Sequence, residues 1–190
     1  MPTQKLVIGT AGMPGAGKSI ALTTAKQQGY DIIIMGNVVR EEAAKRQINP
    51  TPENLGRIML ELREKEGPRV IAKRCIPKIQ STTQQKILID GIRSLDETEE
   101  FKVHYSTFTL LALHASPETR FQRLYNRKRS DDPRSLVVFH DRDMRELSVG
   151  LGNTIALADY MIVNEESFET AKKGVKEVLE RAEQKWLKSQ

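Results

Sequence analysis

Short apolar runs alternate with amphipathic stretches along the chain, and no repeat, linker or low-complexity tract interrupts the alternation. That rhythm produces βαβ units and a parallel sheet. Five runs rich in Ile, Leu and Val read as core strands: Lys5 to Thr10, Asp31 to Met35, Lys86 to Asp90, Thr107 to His114 and Tyr160 to Val163. Continuous triplets such as Ile32-Ile33-Ile34 suit strands buried on both faces. Between the strands the apolar period lengthens to that of helices. The first helix opens in a glycine-rich segment and stops at Gly29, whose missing Cβ permits the left-handed backbone that ends a helix. Thr51 before Pro52 predicts an N-cap with proline at the first helical position, and Leu55, Ile58, Met59 and Leu62 recur at helical spacing. Ser116-Pro117 repeats the signal. Phe168, Ala171, Val175, Val178, Leu179, Ala182 and Trp186 form a stripe that docks a last helix on the sheet. The predicted fold is one three-layer α/β/α domain around a five-stranded parallel sheet.

One segment carries chemistry. Gly12-Met13-Pro14-Gly15-Ala16-Gly17-Lys18-Ser19 matches G-x-x-x-x-G-K-[ST], directly after a predicted strand and at the mouth of a predicted helix. Glycines let successive backbone N–H groups turn inward to phosphate oxygens, and the helix adds its positive end. Lys18 then reaches the β and γ phosphates of ATP and the Ser19 hydroxyl holds Mg²⁺, with the nucleotide-binding set running from Gly12 to Ile20. Asp90 ends the run Ile87-Leu88-Ile89 at the carboxyl edge of a strand, where ligands bind in open α/β sheets. It is the second Mg²⁺ partner, through water, or a turn aspartate before Gly91, and the two roles are compatible.

Composition narrows the classes. The chain has 190 residues, 38% hydrophobic and 29% charged, enough for one core of ordinary size. Mean hydropathy is −0.48 and no apolar stretch approaches the roughly 20 residues of a membrane span. No signal-peptide pattern opens the chain, and the one cysteine, Cys75, predicts a cytoplasmic protein with a small buried thiol. Lys and Arg number 30 against 25 Asp and Glu, a net charge of +5 spread along the chain. This favours an anionic ligand, and a nucleic-acid partner rests on the basic balance alone. His104, His114 and His140 lack metal-ligand spacing.

With these residues in place the chain resembles P-loop nucleotide kinases of the adenylate kinase and dephospho-coenzyme A kinase type, and most closely an archaeal group of such kinase-like proteins. Met35-Gly36-Asn37-Val38-Val39-Arg40 is similar to the G-D-x-x-R start of the acceptor arm in adenylate kinases, which implies that Arg40 grips the acceptor's phosphate beside Asn37. Asp90-Gly91-Ile92-Arg93 resembles D-G-F-P-R one residue short, implying Arg93 as a second acceptor ligand. Arg123-Leu124-Tyr125-Asn126-Arg127 looks like the entry to the lid, where the resemblance puts Arg123 against adenine and Arg127 on the phosphates. Arg129-Ser130-Asp131-Asp132 resembles its R-x-D-D exit, so Arg129 joins Lys18, Asp90 and Arg127 as catalytic, and the lid is short. Ala158 to Ser167 is similar to A-D-x-x-I-x-N-x-x-S of dephospho-coenzyme A kinases, which implies Asn164 near the adenine. The implied layout is a core of 1–35, 86–122 and 146–190, an acceptor arm of 36–69 and a lid of 123–145.

Helical geometry bears on the arginines separately. At about 100° per residue, Arg120, Arg123 and Arg127 fall within roughly 60° of one another. Three guanidiniums on one face repel unless an anion, or Glu118 and Asp131, lies against them; otherwise they form a solvated basic face. Arg142 and Arg145 sit in a charged stretch that exposed ion pairing explains equally well. The expected function is transfer of the ATP γ-phosphate to a small phosphate-bearing acceptor such as a nucleotide. Asn37 favours it over dephospho-coenzyme A kinase, because an amide cannot take a proton from a ribose hydroxyl, unless Asp90 serves as base. An ATP-binding regulator or slow ATPase is the competing class.

Overall fold

The computed structural model describes residues 5–129 and 132–190. Five strands, β1 (Leu6–Ala11), β2 (Asp31–Ile34), β3 (Lys86–Asp90), β4 (Thr109–His114) and β5 (Tyr160–Val163), form one sheet in the order β2-β3-β1-β4-β5. Every pairing is parallel, with Thr10 opposite Asp90 and Ala11 opposite Ala112 at the strand ends. Alternate side chains of each strand serve opposite faces. Leu6, Ile8, Leu88, Leu111 and Leu113 meet α1 (Lys18–Gln27) and α9 (Phe168–Leu187), the latter through Ala171, Val175 and Leu179. Val7, Ile87, Ile89, Leu110 and Ala112 meet α2 (Met35–Lys45), α3 (Pro52–Glu66), α4 (Val70–Ser81), α5 (Leu95–His104) and α8 (Leu151–Ala156). The three layers expected from the apolar pattern are therefore present. The remaining helices, α6 (Pro117–Arg127) and α7 (Leu136–Ser148), touch through the edge-on rings of Phe121 and Phe139.

Capping works as read. Thr51 and Ser116 each accept a hydrogen bond from the amide three residues on, with proline opening the helix. Three expectations need correction. Met35 is the first residue of α2 and not the end of β2. Strand β4 starts at Thr109, because the Phe108 amide turns back to the Tyr105 carbonyl at 3.0 Å and closes a turn ahead of it. Phe168, placed in the docking stripe, is 54% exposed, as Glu169 and Thr170 beside it are exposed, and α9 enters the core only from Ala171. Among the described residues, no helix is long and apolar enough to cross a membrane.

This topology positions the site. From the central β1 the chain departs through α1 toward β2, whereas β4 leads the other way to β5. The loops after β1 and β4 diverge, and such a switch point leaves a crevice at the carboxyl ends of the strands.

Candidate active site

The loop between β1 and α1 is supported from below. Gly17 stands at the N-cap of α1 with φ 97°, and no side chain caps the helix, so the first-turn amides are left for a ligand. A Cβ on Gly17 would fall 2.2 Å from Asn164 Nδ2. Asn164, expected near the adenine, is buried and donates its amide to the Ala16 carbonyl at 2.9 Å, while its backbone N–H bonds the His114 carbonyl at 2.7 Å. It ties the ends of β4 and β5 to the loop. Met13 and Ile20 send their side chains into opposite cores, so each offers the ligand backbone only. Gly12, Pro14, Gly15 and Ala16 complete the turn, and Ser19 is exposed at the helix start.

Lys18 is half-buried, and its ammonium donates to the Gly12 carbonyl. Burial lowers its pKa from the ordinary lysine range; Arg93 and Arg142 push the same way, while Asp90 and Glu146 oppose them. Four charges from two separate parts of the chain, residues 90–93 and 142–146, thus act on this ammonium. Asp90 sits at the end of β3, with its Oδ1 3.2 Å from the Thr10 hydroxyl on the adjacent strand. Among the described residues, no group of three or more His, Cys, Asp or Glu is placed to hold a metal ion. Hydroxyl and carboxylate oxygens from Ser19 and Asp90 nevertheless fit Mg²⁺, which takes one or two protein oxygens and fills the rest with phosphate and water.

Arg93 joins three elements. Its Nη1 lies 3.1 Å from Glu146 Oε1 on α7 and 3.7 Å from Met59 Sδ on α3. Its backbone N–H donates at 2.8 Å to Glu97, whose other oxygen accepts from Arg63 of α3 at 2.6 Å. Glu97 has no exposed surface. Arg40 and Asn37 stand exposed on α2, with Arg40 Nη1 donating to Asn37 Oδ1 at 3.0 Å. Of the expected acceptor residues, Arg93 therefore shares the field of Lys18, while Arg40 and Asn37 are paired with each other on α2.

The arginines of α6 have separate fates. Arg120 is neither solvated nor waiting for an anion: it is 4% exposed and forks onto Asp143 of α7 at 2.8 and 2.5 Å. Arg123 is half-buried, with Nη1 enclosed and without a hydrogen-bond partner, and its charge helps hold the Glu165 carboxyl below the usual range after hydrogen bonds from Thr119 and Ser116. Arg127 donates to Asp132 at 3.1 and 2.5 Å, and the Arg129 amide reaches the same carboxylate at 2.8 Å. Arg127 and Arg129 are not among the charges that act most on Lys18. The Asp131 suggested as a countercharge lies outside the described residues, as does Ser130.

Glu146, Arg142, Glu97 and Asp143 were not anticipated as site residues. Ser94-Leu95-Asp96-Glu97 carries the S-x-x-E signature of a helix start, and Ser94 does cap Glu97. Its Glu, however, serves Arg93. For Asp143 nothing local announces the role, since its partner lies 23 residues away.

Fold and loop together define a P-loop protein with a kinase-like core. The chain is similar to a shikimate kinase from Acinetobacter baumannii over 93% of this chain and 94% of the other, with TM-score 0.57 and 17% identity. A gluconokinase from Sinorhizobium meliloti 1021 matches over 100% of both chains, with TM-score 0.57 and 13% identity. At such identities the likeness is one of fold. The AAA domain family matches residues 11–138. The chain belongs to the UPF0200 proteins: it is 48% identical over 177 residues to the UPF0200 protein of Hyperthermus butylicus, covering 93% of this chain and 95% of that one. It is 47% identical over 166 residues to that of Methanocaldococcus jannaschii, covering 86% and 84%. The archaeal kinase-like group suggested by the motifs is the one to which the chain belongs.

Proposed function

We propose that the protein is an ATP- and Mg²⁺-dependent phosphotransferase that moves the γ-phosphate of ATP to a small phosphate-bearing acceptor such as a nucleotide. The observation that carries this reading is the glycine loop that leaves the start of α1 uncapped and holds Lys18 on the Gly12 carbonyl, with Asp90 at the end of the neighbouring strand and Arg93 in the loop after it. Phosphoryl transfer asks for positioning and charge neutralisation more than covalent chemistry, and this set supplies both. Lys18 leaves the Gly12 carbonyl for the β and γ phosphates, whose charge also relieves the cost of its burial. Ser19 and Asp90 would hold Mg²⁺, which would supply charge neutralisation at the transferring group. Arg127 and Arg129 serve from the lid of 123–145, and the arm of 36–69 presents Arg40 and Asn37 with Arg93 to the acceptor. The single cysteine, buried as a free thiol, suits a reducing compartment, and we place the protein in the cytoplasm.

Asn37 supports the phosphate acceptor on chemical grounds. Its carbonyl oxygen orients the Arg40 fork, a task an amide performs, while it cannot accept the proton of a hydroxyl nucleophile. A second reading has one observation in its favour: the Asp90 carboxylate at the strand end near Lys18 is a candidate base for a hydroxyl acceptor, as in a dephospho-coenzyme A kinase. Arg40→Lys and Asn37→Asp, assayed with nucleoside monophosphates and dephospho-coenzyme A, separate the two. For a phosphate acceptor, Arg40→Lys raises the acceptor KM, since a point charge does not reproduce the fork, and Asn37→Asp brings no gain. A rise in turnover of about 10²–10⁴-fold in Asn37→Asp, confined to dephospho-coenzyme A, would establish the second reading.

A further inference from the structure

We infer that Arg120 and Asp143 are a positioning pair, which holds the phosphate-binding loop in shape and fixes α7 in register beside it, so that α7 belongs to the nucleotide half of the site and not to a moving lid. The inference rests on the reading that the loop binds a nucleoside triphosphate. Arg120 is 4% and Asp143 7% exposed, and the guanidinium meets the carboxylate with both Nη atoms, at 2.8 and 2.5 Å. Two further donors are directed as well: Nε to the Ala115 carbonyl at 3.2 Å and the second N–H of Nη1 to the Pro14 carbonyl, inside the loop, at 3.2 Å. The Phe139 ring covers it, 4.9 Å from centroid to Cζ. Backbone contact seals the same junction, since a Cβ on Gly15 would fall 2.8 Å from the Arg120 carbonyl oxygen.

Stability alone does not explain this arrangement. Two buried charges lose their hydration, and an apolar pair of similar volume serves a core as well or better. What an apolar pair cannot do is donate to Pro14. Sequence adjacency adds the second half of the argument. Asp143 stands between Arg142 and Glu146, which are four residues apart on one face of α7 and are the two α7 charges that act on Lys18. Anchoring Asp143 to Arg120 therefore sets where both of them lie. The pair spans α6 and α7 and would be broken if 123–145 swung as one rigid lid.

The test uses the full chain with Arg120→Met/Asp143→Leu, in which the packing is kept and the donor to Pro14 removed, beside Arg120→Lys. Three readouts are taken: unfolding temperature, amide hydrogen exchange of residues 12–19 without ligand, and ATP affinity by calorimetry. We expect a folded double variant with faster exchange in the loop and ATP affinity lowered about 10- to 100-fold, and an intermediate affinity for Arg120→Lys, which reaches Asp143 or Pro14 but not both. Should the double variant not fold, Asp143→Asn, which retains one acceptor oxygen, is read by the same criteria with a smaller change in the same direction. Unchanged loop exchange and ATP affinity in a folded variant would overturn the inference and leave a purely structural ion pair. If the wild-type chain binds no ATP, the nucleotide reading fails by itself, while the exchange measurement still decides whether the pair shapes the loop.

Discussion

Most cations of the site rest on acceptors of the chain itself: Lys18 on the Gly12 carbonyl, Arg93 on Glu146, Arg40 on Asn37 and Arg127 on Asp132. Each of these partners is one that a phosphate oxygen can replace, because a carboxylate or carbonyl presents the same acceptor geometry to the same donors. Asp132 also has a consequence for pH. Hydrogen bonds from Arg127 hold its carboxyl below the ordinary aspartate range, and Glu42 is lowered likewise by Arg46 and then Arg74. A folded-state pKa below the unfolded one means that the unfolded chain binds protons first as acid is added. The contribution is therefore complete above the unfolded value, about 3.9 for Asp, and is lost as pH falls through the lower folded value. Asp132→Asn should unfold at lower urea than the wild type at pH 7, and the gap should narrow steadily below pH 4. A gap that stayed constant to pH 2.5 would contradict the assignment. Cys75 behaves as its small apolar surroundings dictate: burial pushes its thiol up to about 12, which removes it from nucleophilic roles at neutral pH.

Among the elements, the turn from β1 into α1 is the one whose backbone leaves least freedom. An alanine in the left-handed region costs about 1–2 kcal/mol. At Gly17 its Cβ would in addition meet the Asn164 amide. Gly17→Ala should weaken ATP binding about tenfold or more, in line with the loss of loop positioning. Part of its stability cost should disappear in an Asn164→Ala background, because the clash is shared between the two side chains. Strictly additive stability effects in the double-mutant cycle would show that Asn164 does not press on the loop. This turn was fully legible in the sequence, since glycines, Lys and Ser at fixed offsets report local backbone geometry. The strands and the capped starts of α3 and α6 were legible for the same reason. Helix α4 shows the limit: it carries Pro77 in its interior, a local breaker, yet continues because Ile71, Cys75, Ile76 and Ile79 are buried against the core. Roles fixed by distant partners were not legible. Arg120 reads as one of three surface arginines until Asp143 arrives from α7, and Glu97 reads as a helix cap until the fold brings Arg63 and the Arg93 amide to its two oxygens.

For the whole molecule, the parallel sheet sets β1, β3 and β4 side by side, so that the loop after β1, Asp90 at the end of β3 and Asn164 just beyond β5 meet at one edge. Helices α3 and α7 then meet Arg93 from two sides, through Met59 and Glu146. The most direct measurement is to follow γ-labelled ATP with Mg²⁺ and a panel of nucleoside monophosphates in the wild type and in Lys18→Ala. The account predicts label in an acceptor product with the wild type and its loss in Lys18→Ala, which lacks the charge that meets the β and γ phosphates. Label appearing only in inorganic phosphate with every acceptor, or transfer undiminished in Lys18→Ala, would contradict it.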